Sequence, residues 1–79
     1  MRFSLRKSYT VTVDGEGAET YGVAVYELSH TGEENCIYEN CDITFNRREM
    51  LGYIELWNET QPSLSCLIDL IADIIESNA

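Results

Sequence analysis

Seventy-nine residues carry 14 Asp and Glu against 5 Lys and Arg, a formal charge of −9, with one His, three Cys, one Pro and 44% apolar positions. A chain this short buries only about 60% of the surface its unfolded form exposes, so one small domain is expected over residues 1–79 and a second is excluded. The charge excludes nucleic acid as an expected ligand, because affinity for a phosphate backbone comes from Lys and Arg that displace counterions. The longest apolar run, Cys66 to Ile75, is interrupted by Asp69 and Asp73 and falls short of the ~20 residues of a membrane span.

The first segment alternates: Phe3, Leu5, Tyr9, Val11 and Val13 fall on one parity and Ser4, Arg6, Ser8, Thr10 and Thr12 on the other, with Lys7 the exception. This predicts a half-buried strand. Basic residues without an apolar stretch behind them make a poor secretory signal, so the cytoplasm is the expected location. Asp14 to Glu19 (DGEGAE) combines two glycines with polar neighbours and predicts a hairpin turn that needs positive φ. A second strand is predicted over Thr20 to Leu28, with Tyr21, Val23 and Val25 on one face and Ala24, Tyr26 and Leu28 on the other, so both faces carry apolar weight. Ser29 to Asn35 predicts another turn, and Cys36 to Phe45 a third strand, short or bulged at Glu39 and Asn40.

The period then lengthens to about 3.6, with Met50, Leu51, Ile54 and Trp57 following Asn46 as N-cap and Glu49 as its capping-box partner. A helix is expected over roughly 47 to 58, with Gly52 inside it read as a close-packing position. Asn58 to Ser63 breaks the chain at Pro62, and a second helix carries Leu64, Leu67, Ile68, Ile71, Ile74 and Ile75 as a wide apolar stripe flanked by Leu70. Its other face carries Ser65, Asp69, Asp73 and Glu76, three acids at helical spacing with no base among them. The fold class predicted is α+β: a three-stranded antiparallel meander followed by two C-terminal helices packed on one face.

Chemistry-bearing motifs are few. Cys36, Cys41 and Cys66 are odd in number and lack zinc-ligand spacing, so they are expected reduced, with Cys66 on the apolar side of its helix. His30 lies in a turn with no G-x-S-x-G motif to serve, and Asp14, Glu16 and Glu19 fail the calcium-loop pattern because Glu19 stands where that loop needs Gly. No phosphate-binding glycine motif occurs, and acids in turns and on polar helix faces lack the desolvated cleft that acid–base catalysis requires. No enzyme, cofactor or metal site is therefore expected.

The aromatic residues Tyr9, Tyr21, Tyr26, Tyr38, Tyr53 and Trp57 are generous for so short a chain, and Tyr and Trp are favoured at interfaces. Two helices cover one side of a three-stranded sheet, so the other side is expected to expose some of Tyr26, Ala24 and Leu28 to a protein partner or a second copy. The expected function is a non-enzymatic protein-interaction module, a candidate homodimer. The alternative is an acidic mimic of nucleic acid that occupies a basic nucleic-acid-binding protein through Asp69, Asp73 and Glu76.

Taken together, the alternating first strand, YGVAVYEL at Tyr21 to Leu28, DIT at Asp42 to Thr44 before a helix and P-S-L opening a last helix rich in Ile and Asp resemble a family of short bacterial proteins known only as a domain of unknown function. The resemblance covers nearly the whole chain and rests on structural punctuation. It implies a cytoplasmic protein and brings no functional residue with it.

Overall fold

In a computed structural model, which describes residues 1–77, the alternating segments form three strands, β1 (Arg2–Val11), β2 (Gly17–Leu28) and β3 (Glu34–Thr44), followed by helices α1 (Arg47–Thr60) and α2 (Leu64–Ser77). The sheet is antiparallel in the order β1-β2-β3, an α+β arrangement. Register fixes the faces: Phe3 sits opposite Val25, Leu5 opposite Val23 and Lys7 opposite Tyr21, so the apolar parity of β1 and β2 shares one side. On that side Val23 and Val25 are fully buried, together with Phe3, Tyr21 and Ile43. Met50, Ile54 and Trp57 of α1 and Leu67 and Ile71 of α2 close the core from above. Full burial of each such side chain contributes about 1.5–3 kcal/mol.

The two hairpins use one design twice. In Thr12 to Glu16 and again in Ser29 to Glu33 the fourth residue, Gly15 or Gly32, has φ near +80° and donates its N–H to the carbonyl of the first (2.9 and 3.0 Å). The first residue then donates its own N–H to the carbonyl of the fifth. A type I turn followed by a left-handed glycine gives this three-residue hairpin loop, which explains the T-G-E and D-G-E steps of the sequence. The second glycine of the first turn has a different role, because Gly17 lies within β2 beneath the ring of Tyr9, which occupies the space a Cβ would need. Gly22 is held for a similar reason by β3. Two register shifts, between Tyr21 and Val23 and between Val25 and Tyr26, bend β3 as bulges do, and at the first the carbonyl of Asn40 stands where a Cβ on Gly22 would go.

Asn46 caps α1 by accepting the Glu49 N–H at 3.0 Å, but the Glu49 carboxylate turns instead toward the Tyr53 hydroxyl, which donates to it at 3.2 Å. The capping box is thus half made. Gly52 corrects its sequence reading: a Cβ there would meet nothing within 4 Å, so the position is open surface and not a packing contact. α1 is closed by Gln61 in the left-handed region, and α2 starts three residues later, with the Ser63 hydroxyl accepting the Cys66 N–H. Cys66 is exposed, another correction, because the buried stripe of α2 narrows to Leu67 and Ile71.

The end of α1 fastens the free edge of β1. The Asn58 side-chain amide accepts the Phe3 N–H at 2.8 Å and donates to the Phe3 carbonyl at 2.9 Å, standing where another strand would pair. The N-terminal amine adds a donated bond to Gln61 Oε1 at 2.7 Å, and the Phe3 ring meets Trp57 with centroids 6.2 Å apart.

Candidate functional site

The two broad surfaces, the open face of the sheet and the helix layer, differ in how their charges are answered. On the open face, Arg2 stands opposite Tyr26 with its guanidinium 4.5 Å from the ring centroid, while Arg6, opposite Gly22, reaches along the sheet to within 5.8 Å and donates to the Tyr26 hydroxyl. Two guanidinium groups over one ring form paired cation–π contacts. Each is also held by a β3 carboxylate: Arg2 Nε and Nη2 bond both oxygens of Glu34 at 2.8 and 3.0 Å, and Arg6 Nε lies 3.3 Å from Glu39 without the alignment of a hydrogen bond. On the opposite, helix-packed side, whose parity Lys7 shares with Phe3 and Leu5, Lys7 meets Glu19 at 3.3 Å near the far end of the sheet, and Glu19 also accepts the Tyr21 hydroxyl. These contacts hold the Glu34 and Glu19 carboxyls below the ordinary carboxylate range, through the bonds from Arg2 and from Tyr21 and Lys7 respectively.

This arrangement narrows the expected apolar face to part of its residues. Ala24 has 0% of its surface exposed, because it sits between Ser4 and Glu39 in the middle of the sheet with the long side chains of Arg2, Arg6 and Tyr26 around it. Tyr26 is half-buried under its two arginines. Leu28 alone is open, at 67%.

The helix layer has an apolar groove. One flank of α1 carries Glu49, Tyr53, Leu56 and Thr60, and the facing flank of α2 carries Leu70, Asp73, Ile74 and Ser77, at steps of three and four residues that line up along each helix. They enclose about 290 Å³ above Trp57. Tyr53 stacks on Trp57 with centroids 5.7 Å apart and planes 18° from parallel, so one wall is aromatic. Burial, assisted by the bond it donates to Glu49, pushes the Tyr53 hydroxyl pKa up. Leu56 and Leu70, 51% and 42% exposed, stand on opposite walls. A wider depression of about 610 Å³ at the start of α1 is lined largely by polar groups, among them Arg47 and Arg48.

Two acids, Glu49 and Asp73, stand at the groove, one on each wall. With Glu55 and Glu59 elsewhere on α1 and Asp69 and Glu76 elsewhere on α2, the helices carry six acids against the two bases Arg47 and Arg48. Among the described residues the ion pairs join β1 to β2 or β3, and none of these six helix acids takes part in one. Of the acids singled out from the sequence, Asp73 lines the groove, while Asp69 and Glu76 are exposed. The groove itself was signalled only by Leu70 beside its stripe and by Leu56 off the Met50–Ile54–Trp57 line. An apolar residue on a helix flank marks a groove once the neighbouring helix is known to lie there.

The remaining candidates stand apart. His30 lies in the second turn, Cys36 on β3 is exposed, and Cys41 is half-buried with its thiol pKa raised by desolvation and by the Glu39 carboxylate it donates to at 3.5 Å. Among the described residues no three His, Cys, Asp or Glu side chains gather as a metal site, and no helix is long and apolar enough to cross a membrane. Comparison with family models, with curated proteins and with solved structures returned no match for this chain.

Proposed function

We propose that the protein is a small, non-enzymatic protein-interaction module of the cytoplasm, and that its contact surface is the groove between α1 and α2. The observation that carries this reading is the pair of half-exposed leucines, Leu56 and Leu70, on opposite walls of a groove floored by Trp57. Apolar clefts with a polar rim are how folded domains receive amphipathic helices, whose side chains at i, i+3, i+4 and i+7 fill such a slot. The sheet face, with its guanidinium groups already paired, offers less to a partner, since displacing a made ion pair returns little.

Amide chemical-shift mapping tests this with a panel of synthetic amphipathic helices that share a leucine face and carry Lys, Glu or Gln on the other. At least one member should saturate shifts at Leu56, Leu70 and Ile74. Leu56→Asp should abolish the effect and Tyr26→Glu should leave it unchanged. Shifts centred on Tyr26 and Leu28, or none with any peptide, would contradict the assignment.

The exposed, unpaired Asp69, Asp73 and Glu76 favour one second reading, an acidic mimic that occupies a basic nucleic-acid-binding protein. Its mark is binding that falls steeply with salt and survives Leu56→Asp.

A further inference from the structure

The groove also carries information about the sign of its occupant. We infer that it takes a basic amphipathic helix, one whose apolar edge enters between Leu56 and Leu70 and whose Lys or Arg residues meet Glu49 and Asp73 on the rim. The inference rests on the groove being the contact surface. Its own support is the division of charge over the molecule: every ion pair among the described residues joins β1 to another strand, whereas six acids of the helix layer have no such partner. Glu49 and Asp73 stand on opposite walls, so a helix lying along the groove passes between two carboxylates. Cations there would be matched on both sides.

The same charges argue against a second copy of this chain as occupant. Docking the helix layer against itself would place Asp69, Asp73 and Glu76 against an equally acidic surface, and like charges brought together at an interface cost several kcal/mol. An acidic helix meets the same objection, and a neutral one leaves Glu49 and Asp73 without a counter-charge. A basic helix gains in addition from long-range attraction to a chain of charge −9, which speeds encounter.

Net charge alone would draw a basic peptide anywhere on the surface, so the test separates rim from remainder. The titration follows Trp57 fluorescence, because this single tryptophan lies at the floor of the groove. Two synthetic helices about four turns long are compared, leucine-faced with Lys or with Glu on the polar side. Wild-type protein should bind the lysine helix at least about ten-fold more tightly. Glu49→Lys with Asp73→Lys should weaken that binding about ten-fold or more. Asp14→Lys with Glu16→Lys, the same change of charge in the distant first turn, should change it by less than about three-fold.

Equal losses from the two pairs of reversals would show attraction to net charge only and overturn the inference. Equal affinity for both helices would overturn it as well, while leaving the groove as the contact surface. Binding of neither helix would remove the groove reading itself. If the rim reversal unfolds the protein, the neutral pair Glu49→Gln with Asp73→Asn, set against Asp14→Asn with Glu16→Gln, makes the same comparison at half the change of charge, and equal losses again overturn the inference.

Discussion

The sheet face and the helix layer of this protein face the same solvent with opposite electrostatic solutions. On the open sheet face, Arg2 and Arg6 of β1 reach across β2 to the Glu34 and Glu39 carboxylates of β3, with Tyr26 beneath both guanidinium groups, while Lys7 pairs with Glu19 on the other side of the sheet. On the helices, six acids have no ion-pair partner among the described residues, and two of them, Glu49 and Asp73, flank a groove with leucine on both walls. A surface whose charges are already answered has little to gain from a partner. One that combines exposed apolar area with uncompensated charge gains from both burial and pairing, and the comparison therefore points to the helices as the working side.

The largest way to break the comparison is to remove what holds α2 to the sheet. Leu67→Ala empties a fully buried position beneath that helix and should lower stability by about 2–5 kcal/mol in denaturant titration, loosening the groove while the β1–β2 ion pair survives in any residual hairpin. Asn58→Ala should cost about 1–3 kcal/mol, because it strips a donor and an acceptor from the β1 edge at Phe3. Loss of amide-exchange protection confined to Phe3 and its neighbours would be the local sign.

Those two sites also show what was legible from sequence. Strand parity placed Phe3, Val23 and Val25 in the core because side chains alternate with period two, and Gly15 and Gly32 fixed the turns because little else adopts positive φ there. The Asn58 clamp was not legible. It joins residues 55 apart in the chain, and a polar side chain near a helix end reads locally as a terminus. Ala24 misled for a related reason: apolar weight on the second face of β2 suggests exposure only until the register sets Arg2 opposite Tyr26 and sends Arg6 along the sheet to the same ring. Long side chains on one strand can cover small ones on the next, and that depends on pairing, which no single strand encodes.

Two smaller effects sharpen the contrast. Gly52→Ala, on the open face of α1, should raise stability by about 0.5–1 kcal/mol in thermal unfolding without weakening peptide binding, since the helix gains propensity and the groove loses nothing. Acid should act on the sheet: Glu19 and Glu34 have lowered pKa values in the folded state, so their contribution is complete above the ordinary carboxylate range and is lost as pH falls through the lowered folded values. Glu34→Gln should therefore flatten the acid limb of the stability–pH curve. Asp69→Asn should leave the Glu19 and Glu34 contributions in place.

The most direct test of the account is the solution mass by light scattering, measured over a concentration series alone and then with the lysine-faced helix. The account predicts the mass of one chain at every concentration and a one-to-one complex once peptide is present. A dimer that forms without peptide and is unaffected by it would contradict the account, because the groove would then serve self-assembly or the sheet face would be the interface after all.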